Sequence, residues 1–199
     1  MSHRVAIVIP AAGGSTRMRG RDKLMEVVDG QPLIRRVAVR ACRGDRPVMA
    51  VLPGPDHARW GTLEGLPITR IALPDSRGMG HSIATGVAAL PAPCDGVMIL
   101  PADMPEITAE DLDTVAAAFD GTRPVRALGA DGTPGHPVLF PASDFNLLTA
   151  LDGDDGARAV LRRHDRVVPA ALPGCHALTD LDTPEAWAAW RGEPGRDAP

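Results

Sequence analysis

Near the start of the chain, an apolar run, Val5-Ala-Ile-Val-Ile9, is stopped by Pro10. It leads straight into Ala11-Ala-Gly-Gly-Ser-Thr-Arg-Met-Arg-Gly-Arg-Asp-Lys23. Continuous apolarity rich in β-branched residues suits a strand covered on both faces, which in turn demands helices above and below it. The run is too short to cross a bilayer and lacks a leader's cleavage pattern, so a soluble, cytoplasmic chain is expected.

The downstream sequence meets that demand. Strands are predicted over residues 47–52, 68–73 and 96–100, and helices over 32–42, 55–60 and 80–90. Pro32 is placed in a first helical turn. Thr108 reads as an N-cap, with Asp111 three residues on, for a further helix. This alternation marks a parallel sheet with crossover helices. From Pro124 the pattern loosens into two short strands, helical pieces near 144–151 and 155–163, a strand near Val167 and a helix from Pro184. One α/β domain over residues 1–191 with a frayed tail at 192–199 is the expected organisation.

Composition excludes several classes. Acids outnumber bases 25 to 21, a net charge of −4, which argues against coating nucleic acid or an anionic membrane. Cys42, Cys94 and Cys175 form no C-x-x-C pair, and no two histidines stand at metal-ligand spacing, so zinc and a disulfide framework are not expected. Aromatics are only 3% and tyrosine is absent, leaving the core to Ala, Val, Leu and Ile. Neither Ser15 nor Ser82 lies in a G-x-S-x-G elbow, so no hydrolase triad is suggested.

In open α/β sheets ligands bind beyond the carboxyl ends of the strands, which directs attention to the loops there. Gly13 and Gly14 let backbone N–H groups approach an anion, and Arg17 and Lys23 add a guanidinium fork and a mobile point charge. The stretch is neither a Walker loop nor a dinucleotide turn. A solvated basic loop remains the competing reading. Asp103, in Leu100-Pro-Ala-Asp103-Met-Pro105, stands where a carboxylate could hold Mg²⁺. Taken alone, a turn Asp before proline is the simpler reading. Asp182 could be a second carboxylate, although spacing alone favours an N-cap in Asp182-Thr-Pro-Glu185. Gly78-Met-Gly-His-Ser82, Gly135-His136-Pro137 and Gly153-Asp-Asp-Gly-Ala-Arg158 read locally as turns or a helix start.

Together these segments, in this order and across almost the whole chain, resemble the MobA-like nucleotidyltransferases, in particular the molybdenum cofactor cytidylyltransferase branch. The resemblance implies a Rossmann-like three-layer α/β/α fold whose mostly parallel sheet has an antiparallel strand in its second half. It assigns Ala11, Ala12, Gly13, Gly14, Arg17, Lys23 and Ser82 to the nucleotide, with Arg17, Lys23 and Asp103 catalytic. Asp103 and Asp182 would hold Mg²⁺, and His136 and Arg158 would face the acceptor. Ala12 falls where guanylyltransferases of this superfamily tend to have glycine, which favours CTP over GTP. The chain departs from the family's pattern at Pro10, where leucine is usual. Arg19 is an extra residue, and Gly80 and His81 stand where serine is common.

The implied activity is Mg²⁺-dependent transfer of CMP from CTP to the phosphate of a molybdopterin-type acceptor, with a molybdoenzyme apo-protein as a recipient of the product. A GTP-using guanylyltransferase, a transferase acting on another small phosphorylated acceptor, and a non-catalytic molybdopterin carrier are the competing readings. A carrier has no use for a carboxylate set facing a triphosphate nest.

Overall fold

The computed structural model describes residues 3–154 and 156–192. The apolar run becomes β1 (Val5–Pro10), buried along its whole length. A hairpin comes next, β2 (Val27–Val28) and β3 (Gln31–Pro32), then α1 (Leu33–Ala41), β4 (Val48–Leu52), α2 (Ala58–Thr62) and β5 (Thr69–Ala72). Beyond them lie α3 (Met79–Ala88), β6 (Gly96–Ile99), α4 (Ala109–Ala117), β7 (Val125–Leu128) and β8 (Pro134–Pro141). The chain continues through α5 (Phe145–Thr149), α6 (Arg158–Leu161), β9 (Val168–Ala171) and α7 (Pro184–Arg191). Of the tail expected at 192–199, only Gly192, the C-cap of α7, lies within the described residues.

Seven strands form one sheet in the order β5-β4-β1-β6-β8-β7-β9. All run parallel except β8, which is antiparallel to both neighbours. From β1 the chain builds outward to β4 and β5, then returns to place β6 on the other side. This reversal makes the carboxyl ends of β1 and β6 the switch point where a crevice opens.

The strand period of two sends β1's side chains to opposite faces. Val5, Ile7 and Ile9 pack with Leu33, Ile34 and Val37 of α1, Leu112 and Val115 of α4, and Trp187 of α7. Ala6 and Val8 pack with Ile83 and Val87 of α3, Leu148 of α5 and Val160 of α6. The two apolar layers make the expected three-layer sandwich. On one face α3 lies so close to β1 that a Cβ at Gly86 would come within 2.4 Å of Val8 Cγ1.

Two local expectations meet different outcomes. Pro32 is not in the first helical turn: with ψ 141 it is extended, pairs with Val27, and serves as the N-cap of α1. The hairpin that claims it turns on Asp29-Gly30, both at positive φ (47 and 75), the conformation of a two-residue turn that suits strand twist. At α4 the expected cap is present: Thr108 Oγ1 accepts from Asp111 N–H at 3.1 Å and the Asp111 carboxylate accepts from Thr108 N–H at 2.8 Å.

Candidate active site

At the switch point a cleft of about 480 Å³ is walled by Gly13, Gly14, Arg17, Lys23, Ser82, Asp103 and Asp182, among others. Lys23 joins two of its acidic walls. Its Nζ donates to Asp103 Oδ2 at 2.6 Å and to Asp182 Oδ1 at 2.5 Å, and Arg17 meets Asp182 Oδ2 at 2.7 Å. Burial works against the Lys23 ammonium, yet the two carboxylates more than offset it and hold its pKa above the ordinary lysine value. Three distant parts of the chain thus converge on one charged cluster.

Each loop has its own anchor. Asp103 follows β6 between Ala102 and Met104, both buried. From α1, Arg40 donates to Pro105 O at 2.7 Å and Ile107 O at 2.6 Å, which pins the loop beyond Asp103. Leu181 N–H donates to Asp103 O at 3.3 Å, joining this loop to the one carrying Asp182. The cap of α7 falls to Thr183, whose hydroxyl accepts from Ala186 N–H at 3.2 Å. Asp182 is therefore not the N-cap that spacing favoured, and its carboxylate faces the cleft. Asp180, exposed nearby, has its pKa raised by partial desolvation and by the charges of Asp103 and Asp182.

Ala11 walls the cleft, whereas Ala12 packs in the opposite apolar layer. Ser82, in α3, is buried with its hydroxyl 3.3 Å from Gly78 O. The glycines before it have a steric reason: at Gly78 (φ 117) a Cβ would lie 2.5 Å from Gly153 O, and Gly80 N–H donates to that oxygen at 2.8 Å. So Gly78-Met-Gly-His-Ser82 and Gly153-Asp154 form one joined edge, and Met79 and Asp154 also wall the cleft. Asp155, with which the second helical piece was expected to begin, lies outside the described residues.

His136 and Arg158 do not wall this cleft. His136 lies just beyond it at the start of β8. Desolvation by its surroundings and the Arg126 guanidinium lower its pKa against the pull of Asp103 and Asp180. Arg126, which donates through Nε to Gly135 O at 3.1 Å, has its own pKa lowered by burial and by Arg158. Arg126 and Arg158 thus make a basic flank with the His136 imidazole beside Arg126, and sequence reading missed Arg126. Its place on β7 opposite Val138 is set by pairing that no local pattern announces.

Gly135 carries a sharper requirement. A Cβ there would lie 1.9 Å from Ala177 O, the atom that accepts from His136 N–H at 2.8 Å. Gly135→Ala is expected to destabilise the chain by about 1–3 kcal/mol, since backbone cannot yield as a side chain does. Thermal unfolding checks this, and an unchanged midpoint would contradict the contact between β8 and the 174–179 turn.

Among the described residues no three His, Cys, Asp or Glu side chains form a ready-made metal cage. The donor set instead offers two carboxylates sharing one cation. That arrangement suits a hard, oxygen-seeking divalent ion which completes its shell with water and phosphate oxygens.

Comparison with known proteins agrees with this fold. The family model for the MobA-like NTP transferase domain matches residues 7–167. The molybdenum cofactor guanylyltransferase of Serratia proteamaculans is 30% identical over 139 residues, 70% of this chain and 68% of that protein. The purine catabolism protein PucB of Bacillus subtilis is 32% identical over 114 residues, 56% of this chain; the chain spans only 55% of PucB's length. The crystal structure of Rv0371c from Mycobacterium tuberculosis superposes with a TM-score of 0.82 at 22% identity, covering 97% of this chain and 100% of that one. Rv0371c has also been solved in complex with manganese. Among the described residues no helix is long and apolar enough to cross a membrane.

Proposed function

The chain belongs to the MobA-like NTP transferase family, and we propose that this nucleotidyltransferase moves CMP from CTP to the phosphate of a molybdopterin-type acceptor, releasing pyrophosphate. The observation that carries the reading is the Lys23 ammonium shared by Asp103 and Asp182 in a cleft walled by Gly13 and Gly14. Backbone N–H groups of the 11–14 turn would bind phosphate oxygens, and Arg17 and Lys23 would neutralise charge on the triphosphate. Asp103 and Asp182, rather than Asp180, would hold Mg²⁺, which neutralises phosphate charge when bound. Asp182 is favoured because it shares Lys23 and Arg17, whereas desolvation and like charge weigh on Asp180.

A phosphate monoester is already ionised at neutral pH, so the acceptor oxygen can attack the α-phosphorus without a strong base. The new P–O bond forms in line as the α-phosphorus separates from the bridging oxygen, and pyrophosphate carries away that electron pair. Positioning and charge neutralisation do most of the work. Arg126 and Arg158 would draw the acceptor's phosphate to the flank of the cleft, where the His136 imidazole would offer it a hydrogen bond.

Base choice rests on Ala12, packed behind the turn, where by the family resemblance guanylyltransferases of the superfamily tend to have glycine. The Serratia relative, named a guanylyltransferase, supports GTP as the second reading. Thermal unfolding with Mg²⁺ and each of CTP, GTP, ATP and UTP separates them. A ligand at a hundredfold excess over its Kd adds about 2.7 kcal/mol to native stability, which moves the midpoint by several degrees. CTP is expected to give the largest shift. A selective GTP shift would favour guanylyl transfer, and no shift with any triphosphate would overturn the reading.

A further inference from the structure

Arg59, on α2 and outside the cleft lining, is 2% exposed. A guanidinium has five N–H donors, and the contacts they make here all fall on a single stretch of chain. Nε and Nη2 fork onto the two Asp22 oxygens at 2.7 and 2.6 Å, and Nη2 also donates to Ser15 Oγ at 3.1 Å. Nη1 donates to the carbonyls of Ala11 at 2.6 Å and Gly13 at 2.8 Å. Asp22 in turn caps the short helix Lys23–Met25, accepting from Leu24 N–H at 3.0 Å. One side chain therefore ties the glycine turn to the residue preceding Lys23.

From this geometry we infer that Arg59 is a positioning residue for triphosphate binding, a role that rests on the proposed nucleotidyl transfer. In a trans peptide the carbonyl of one residue and the N–H of the next point in opposite directions. Drawing the carbonyls of Ala11 and Gly13 onto Arg59 therefore turns the N–H groups of Ala12 and Gly14 away from it. That leaves them free to donate to an anion. The Asp22 carboxylate balances the buried guanidinium, so the charge left to act on phosphate is that of Lys23 and Arg17. Arg59 orders this nest before the ligand arrives, and the ordering cost is met during folding instead of at binding.

The experiment uses the full chain with Mg²⁺ and CTP or GTP, whichever the unsubstituted protein binds, in Arg59→Met, Arg59→Lys and Asp22→Asn variants. Calorimetry below each variant's unfolding midpoint reads affinity separately from stability. Arg59→Met is expected to weaken triphosphate binding by about tenfold or more, since several charge-assisted hydrogen bonds go at once. Methylguanidinium is expected to restore much of it by filling the vacated site. Arg59→Lys, which cannot fork, should recover little. Asp22→Asn keeps the side chain's shape and is expected to weaken binding in the same direction, which decides the matter if Arg59→Met does not fold. Folded Arg59 and Asp22 variants that bind the triphosphate as tightly as the parent would overturn the role of Arg59 while leaving the transferase reading intact. A parent chain that binds no triphosphate would overturn both.

Discussion

An Asp103→Ala chain is expected to lose metal-dependent turnover by about a thousandfold or more, because on the proposed reading one of the two carboxylates that would hold the divalent ion is gone. The fold should survive. Ala102 and Met104 stay buried on either side, and the backbone links from Arg40 and Leu181 do not involve the Asp103 side chain. Lys23 also keeps Asp182, so no charge is orphaned in the cleft. Pyrophosphate release measured against Mg²⁺ concentration, beside a thermal unfolding curve, tests both halves. A folded variant turning over within tenfold of the parent would remove Asp103 from the chemistry.

Lys23→Met should push two observables in opposite directions. Triphosphate affinity and rate are expected to fall together by about a hundredfold, since on the proposed reading a charge that would neutralise phosphate oxygens is lost. Divalent ion binding without nucleotide is expected to tighten by about tenfold. The ammonium now sits between Asp103 and Asp182, where it competes with any other cation, and its removal leaves two facing carboxylates that repel one another. Titration with Mn²⁺ followed by electron paramagnetic resonance reads the second effect with no substrate present. Weaker Mn²⁺ binding in the variant would mean that Lys23 supports the cation site instead of filling it.

Much of this is legible in the residues. Val5–Ile9 and the strands at 48–52 and 96–99 announce themselves because buried parallel strands are apolar throughout. Loops at their ends then become candidate sites by topology. Asp29-Gly30 beside Val27-Val28 carries a hairpin signal, which the helix-opening preference of Pro32 masks. The role of Asp182 is obscured because Asp and Thr are both good caps, and only the three-dimensional arrangement shows that Thr183 takes the task. Arg59 and Arg126 are illegible for a different reason. An arginine in a short polar segment or an irregular strand looks solvated, and its partners lie 37–48 and 8–9 residues away in sequence.

The reversed direction of β8 has a consequence for how such a chain can diversify. Because Ile99 of β6 pairs with Val138, it is the beginning of β8, not its end, that reaches the crevice. On the proposed reading, the nucleotide is handled by the loops leaving β1 and β6, while the acceptor meets Arg126 on β7 and His136 at the start of the backward β8. The turn at residues 129–133 that precedes β8 could lengthen or change character without altering the register of β1, β4 or β6. Donor and acceptor recognition would thereby fall on separately editable segments, so that one half of the cleft can be inherited while the other explores new substrates.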